Sequence, residues 1–200
     1  MEDKIVFENV DKHYTIDGGG VKVFDKLCLT IDPKEFTVII GRSGCGKTTL
    51  LRLLCGLEKP DGGSIYMPDG IKIGMMFQEA RLMSWLTAEK NVMLGLESPD
   101  REECKRILKL VGLEGFERAY PDQLSGGMQQ RVSLARTLIR DSNLILMDEP
   151  FGALDNETRF DMQQELLKIR EEIGAGVIFV THDMNEATTL GDRIITLNQK

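Results

Sequence analysis

Three short runs in this chain combine residue types that handle phosphate. In the first, Gly41-Arg42-Ser43-Gly44-Cys45-Gly46-Lys47-Thr48, glycines separated by four residues precede a lysine and a hydroxyl. The glycines let successive backbone N–H groups curl around an anion, Lys47 suits β- and γ-phosphoryl oxygens, and Thr48 offers an oxygen to Mg2+. Thr49 follows at the helix start. In the second run, Leu144-Ile145-Leu146-Met147-Asp148-Glu149-Pro150, an apolar strand delivers two carboxylates at its carboxyl end, where parallel sheets bind ligands. Asp148 is placed to hold a Mg2+ shell, and Glu149 to polarise an attacking water. In the third, Leu124-Ser125-Gly126-Gly127-Met128-Gln129-Gln130-Arg131, a serine caps a helix whose first turn is glycine, which leaves its N–H groups open to negative charge.

These runs need elements to hold them. Short apolar runs at Phe36 to Ile40, Leu144 to Met147, Val177 to Val180 and Ile194 to Leu197 predict buried strands of a parallel central sheet. Alternating runs at Ile5 to Val10, Val21 to Ile31 and Ile71 to Phe77 predict half-buried strands, and Asp17 to Gly20 a hairpin turn. Helical spacing marks Leu50, Leu53, Leu54 and Leu57, then Met128, Val132, Ala135 and Ile139, then Met162, Leu166, Ile169 and Ile173. Asp100 with Glu103, and Asp183 with Glu186, predict two further helix starts. Strands alternating with helices define the class as α/β. The mainly helical stretch from about Ala80 to Gln123 interrupts that alternation and reads as an insertion.

Composition narrows the setting. The chain has 200 residues, 42% of them hydrophobic, which suits one domain burying roughly 70% of its unfolded surface. Twenty-five basic against 32 acidic residues leave a net charge of -7, so nucleic acid is a poor partner. Cys28, Cys45, Cys55 and Cys104 form no Cys-x-x-Cys pair and no leader is evident, from which a reduced cytosolic setting is expected. Nor does any apolar run reach the ~20 residues that cross a bilayer, so any membrane role needs other chains.

Order and content of the three runs resemble the nucleotide-binding subunit of an ATP-binding cassette (ABC) transporter, over essentially the whole chain. The resemblance implies an ATP hydrolase with ATP and Mg2+ as cofactors. It implies a P-loop NTPase core with a parallel central sheet, an antiparallel β subdomain at the N-terminus and an inserted helical subdomain. Residues 1–200 would then form one domain, the core at about 1–79 and 132–200 and the helical subdomain at about 80–131. Gln78 resembles the glutamine that contacts Mg2+ or the attacking water, His182 the histidine that contacts the γ-phosphate, and Tyr14 the aromatic that stacks on adenine. Asp155, in Ala153-Leu154-Asp155, resembles the acid of a loop that crosses the dimer interface. Glu149, His182 and Gln78 are thus the implied catalytic set, and Thr48, Gln78 and Asp148 the implied metal set. Ser125, Gly126, Gly127 and Gln129 would close over ATP held on the phosphate loop of a second copy, giving a head-to-tail dimer.

A finer resemblance lies in Phe77-Gln78-Glu79-Ala80-Arg81-Leu82-Met83-Ser84-Trp85-Leu86, followed by Asn91-Val92. It is similar to importer ATPases of the nitrate, sulfonate and taurine group. This implies a peripheral subunit on the cytoplasmic face of the membrane, driving transmembrane permease subunits and, indirectly, serving a solute-binding protein. Arg81, Leu82, Met83 and Trp85 would meet the permease; filling the helical subdomain is the alternative role for each. Ser84 stands where the group often has proline, and the end at Lys200 leads to the expectation that accessory C-terminal helices are missing. The competing readings are an exporter or lipid-extraction ATPase and, more distantly, a DNA-associated ABC-type ATPase. The stretch between Lys47 and Ser125 is too short for the coiled-coil insertion usual in the last.

Overall fold

A computed structural model describes residues 3–16 and 19–197 and separates into two compact units, residues 1–71 with 176–200 and residues 72–175. In the first unit, β1 (Ile5–Ile16) pairs antiparallel with β2 (Gly19–Ile31) and with β4 (Gly62–Tyr66), in the order β2-β1-β4. Beside this sheet the unit holds β3 (Phe36–Ile40) between two parallel neighbours, β7 (Gly176–Thr181) and β8 (Arg193–Thr196). Every residue of β3 and β7 is buried, as expected of strands covered on both faces. The Phe36 and Phe179 rings meet at 6.1 Å between them. Helix α1 (Lys47–Leu54) follows β3, and α6 (Met184–Leu190) follows β7. Asp192 locks the start of β3 through two bonds: its carboxylate accepts from Phe36 N at 2.9 Å, and its own N–H donates to Phe36 O at 2.9 Å.

The predicted hairpin turn falls partly on residues 17 and 18, outside the described residues, although Ile16 faces Gly19 across the ladder. Strand β1 runs past the predicted end at Val10, because register shifts between Phe7 and His13 interrupt its alternation without ending the pairing. Strand β4 carries no periodic signal at all. Gly63, at φ 76°, sits so close to the carbonyls of Glu8 and Asn9 that a Cβ would collide with them.

In the second unit, β5 (Ile73–Met76) pairs parallel with β6 (Leu144–Asp148). The alternation that set β5 apart in the sequence is therefore half-burial of a parallel strand. The helices are α2 (Ala88–Val92), α3 (Arg101–Leu110), α4 (Gly126–Leu138) and α5 (Asn156–Ile173). Asp100 caps α3 as predicted, accepting from the N–H groups of Glu102 and Glu103 at 2.9 and 3.1 Å. Cys104, Ile107, Leu108, Val132, Ala135, Met162 and Leu166 bury the inward faces of α3, α4 and α5. Helix α2 falls within the stretch from about Ala80 to Gln123 that reads as mainly helical, but is too short to show a period of its own.

Candidate functional site

The first unit builds an anion site at the carboxyl end of β3. Gly44 and Gly46 have φ of 81° and 98°, a left-handed backbone that favours glycine, and a Cβ at Gly46 would come within 2.7 Å of Val23 and 2.8 Å of Phe24. A side chain at Gly41 would meet Cys45, which is buried beneath the loop. Helix α1 has Gly46 as its N-cap with no side-chain cap hydrogen bond, and a helix start of this kind attracts negative charge. Lys47 is buried and folds back onto the loop, donating to Gly41 O at 2.9 Å and Arg42 O at 3.3 Å. Arg42, Ser43 and Thr48 are exposed along the same loop, and Thr49 is buried within the helix.

Parallel pairing brings a second group to this end. Ile40 lies opposite Thr181, so the chain leaves β3 into the glycine loop and leaves β7 into His182 on the same side. His182 is exposed. The turn beneath it is braced by Thr181, whose hydroxyl donates to the buried Glu186 carboxylate and accepts from Asp183 N at 3.0 Å. Tyr14 reaches the same helix from β1. Its hydroxyl donates to Glu58 and lies 3.4 Å from Thr49 Oγ1, while Lys12 Nζ stands 5.4 Å from its ring centroid. Burial first, and then the Glu58 bond, raise the Tyr14 pKa.

The second unit gathers the acidic strand, Gln78 and the serine-glycine helix start. Met76 faces Met147, so Gln78 and the Asp148-Glu149 pair leave β5 and β6 at one end. Asp148 is buried and Glu149 has φ 45°. A non-glycine residue in that region stores strain of about 1–3 kcal/mol and marks a position whose side-chain direction matters. The turn is closed by Gly152 N donating to Glu149 O at 3.1 Å, and a Cβ at Gly152 would come within 3.5 Å of Gln78 Nε2. Ser125 caps α4 by accepting from Met128 N at 3.3 Å, with Gly126 exposed behind it. Gly127 is buried where a Cβ would lie 2.6 Å from Thr158. Gln129 turns inward, its amide donating to Pro121 O at 2.9 Å and Leu124 O at 3.2 Å, so it braces the segment leading into Ser125. Asp155 caps α5, accepting from Thr158 N at 3.0 Å and Thr158 Oγ1 at 2.7 Å, bonds that lower its pKa.

Three positioning residues escaped the sequence reading. Gln130 is buried and donates to Gln78 O at 2.6 Å, which holds the glutamine loop against α4. Asn91 is fully buried and bonds Met83 N at 2.8 Å and the carbonyls of Met83, Leu86 and Thr87 at 3.1, 3.0 and 3.1 Å. Arg136 binds the carbonyls of Ala80 and Arg81 at 2.7 and 3.0 Å. Gln130 and Arg136 reach carbonyls 52 to 56 positions away, and Asn91 reaches back four to eight positions into the loop before its helix, contacts that no periodic spacing reports.

Relatives agree with this chemistry. Residues 24–152 match the ABC transporter family. The whole chain is 46% identical to an uncharacterised ABC transporter ATP-binding protein of Methanocaldococcus jannaschii, covering 79% of that protein. It is 47% identical, over 90% of its length and 72% of the relative's, to the aliphatic sulfonates import ATP-binding protein SsuB 1 of Shouchella clausii. A solved dimeric ATP-binding cassette in a post-hydrolysis state, bound to ADP and Pi, superposes with a TM-score of 0.83 at 37% identity, covering 97% of this chain and 94% of that one. The fold and motifs define a P-loop ATPase. The chain belongs to the ABC transporter family, as an ATP-hydrolysing cassette.

Proposed function

We propose that ATP hydrolysis by this chain powers import of a solute of the nitrate, sulfonate or taurine type through separate membrane-spanning permease subunits. Pairing of β3 with β7 is the observation that carries the nucleotide chemistry, because it supports a role for the Lys47 loop and His182 at one set of phosphates. Lys47 would exchange the Gly41 and Arg42 carbonyls for phosphoryl oxygens, and the α1 N–H groups would hold the remaining charge. Glu149 would orient the attacking water, with Gln78 beside it. Tyr14 would carry the adenine on its ring.

Mg2+ takes oxygen ligands and keeps company with phosphates, and the Thr48 hydroxyl, Asp148 and the Gln78 amide are the donors that the family resemblance implies for it. Among the described residues no cluster of three His, Cys, Asp or Glu could cage a metal by protein groups alone, which fits an ion that arrives with the nucleotide. Bound there, it would neutralise charge between the β and γ phosphates.

Ser125, Gly126 and Gly127 would close on the nucleotide of a second copy. The dimeric cassette bound to ADP and Pi supports that arrangement. Import is favoured over export by the relatives named for sulfonate import, and no helix among the described residues is long and apolar enough to cross a membrane itself. The chain would therefore lie on the cytoplasmic face against its permease, served by a solute-binding protein. Reconstitution with the permease in proteoliposomes tests this: ATP supplied on the cassette side should drive radiolabelled taurine or an alkanesulfonate toward that side. Movement of lipid or solute in the opposite direction would replace import by export.

A further inference from the structure

Helix α1 ends at a left-handed Gly56, φ 71°, which turns the chain back so that Glu58 N donates to Arg52 O at 3.1 Å. The returning segment is fastened to β1. Asp61 N donates to Asp11 O at 2.9 Å, and the Asp61 carboxylate accepts from His13 N at 2.6 Å. The half-buried Glu58 is thereby brought beside Tyr14: one carboxylate oxygen accepts the Tyr14 hydroxyl, and the other accepts from Arg52 Nη1 on α1 at 3.3 Å. Lys12 joins the same group. Its ammonium donates to Lys59 O at 2.9 Å, lies 3.7 Å from Glu58 Oε2 and 3.5 Å from Asp61 Oδ1, and stands 5.4 Å from the Tyr14 ring centroid.

A half-buried tyrosine that only filled space could leave its hydroxyl to water. Tyr14 instead has its tip tied to the helix that starts at the phosphate loop, closely through Thr49 Oγ1 at 3.4 Å and again through Glu58 and Arg52. Such a tie matters for a ligand with two ends. An aromatic ring that receives a base must stand at a fixed distance from the groups that receive the phosphates, because one molecule spans both. Fixing the ring before the base arrives also removes part of the ordering cost of binding. Burial first, and the Glu58 bond next, raise the Tyr14 pKa, so the phenol keeps the proton that it donates.

We propose that Glu58 is the positioning residue of the base platform: its carboxylate holds the Tyr14 hydroxyl and, through Arg52, ties the ring to α1, so that the adenine of ATP meets a ring already fixed relative to the phosphate loop. This role rests on the reading of Tyr14 as the adenine platform. It adds the residue that sets the platform's place, on a segment that carries no nucleotide motif of its own.

The test titrates ATP and inorganic tripolyphosphate onto the chain in parallel and follows hydrolysis over a range of ATP concentration. Glu58→Ala should weaken ATP binding and raise KM for ATP about fivefold, with kcat and tripolyphosphate affinity retained. Tyr14→Phe removes the same bond from the other side and keeps the ring, so it should match that loss and serves in its place if Glu58→Ala fails to fold. The double variant should lose no more than either single one. Glu58→Gln keeps an acceptor for the phenol and should retain most of the affinity. ATP affinity unchanged in Glu58→Ala and Tyr14→Phe, or additive losses in the double variant, would overturn the role of Glu58. So would an equal loss of tripolyphosphate affinity, which would make Glu58 a support of the phosphate-loop helix alone. Tyr14→Ala separates the two readings. If it binds ATP like the parent, the platform reading falls first and the role of Glu58 falls with it; if it weakens ATP about tenfold while Glu58→Ala and Tyr14→Phe do not, the platform stands without Glu58.

Discussion

Helices α1 and α4 both have a glycine at their start, Gly46 as the N-cap of one and Gly126 as the first residue of the other, yet they present their N-termini differently. In the first unit α1 starts at a left-handed Gly46, has no side-chain cap and carries a lysine turned into its own loop. In the second unit α4 starts at Ser125, whose hydroxyl already takes one first-turn N–H, and it brings no cation to that turn. An uncapped start with a buried ammonium suits a highly charged ligand held for a whole catalytic cycle. A capped, neutral start suits a contact made and released. The difference supports the proposal that the first unit holds nucleotide and that the second closes over a partner's nucleotide.

Ranked by size, four substitutions test that division. Glu149→Gln should lower the ATP turnover number by roughly 10²–10⁴ and spare ATP affinity, read by phosphate release and by nucleotide titration. Hydrolysis at the ordinary rate would remove Glu149 from its role and leave the strained turn without a function. Ser125→Arg should abolish ATP-dependent dimerisation and turnover while the monomer binds ATP as before. Sedimentation with and without ATP separates the two effects, and a loss of monomer affinity would mean that α4 also holds nucleotide in its own chain. Gly46→Ala should destabilise the fold by about 1–3 kcal/mol, because it adds a Cβ at φ 98° against Val23 and Phe24. A denaturation midpoint unchanged from the parent would show that the loop relaxes without cost. Ser125→Ala should cost only about 1 kcal/mol, the loss of one cap.

A pH effect gives a further reading within the second unit. Burial, then the charges of Glu89 and Glu117, push the Cys104 thiol from 9.0 up to about 11. The folded chain therefore prefers the protonated thiol, so its contribution is intact below the ordinary thiol pKa and is lost as pH rises from there through about 11. Denaturation midpoints compared on either side of the ordinary thiol pKa should fall less in Cys104→Ala than in the parent. An equal fall in both would assign the slope to other groups.

Much of this architecture was legible along the chain, and particular residues show why. Phe36 to Ile40 coincides with β3 because a strand buried on both faces must be continuously apolar. Ser125, Asp100 and Asp155 could be read as caps because a cap acts on N–H groups two or three residues away. Strand β4 could not be read, since Gly62, Gly63 and Ser64 have no pattern and are held by Asp11, Glu8 and β1 across the sheet. Gln130 was invisible as a brace for Gln78 because the two are 52 positions apart. Arg136 likewise looked like an ordinary helix residue until its carbonyl partners at Ala80 and Arg81 were in view.

By itself the sequence determined the chemistry this protein can perform, because phosphate loops, caps and acidic strand ends are local and their geometry follows from residues a few positions apart. The tertiary structure alone decided how those pieces are held. Parallel pairing set the glycine loop and His182 at one end, Glu149 was bent into a left-handed turn, and Gln130 was brought onto the Gln78 carbonyl. Such outcomes depend on strand register and on side chains reaching distant backbone, which no spacing along one chain records.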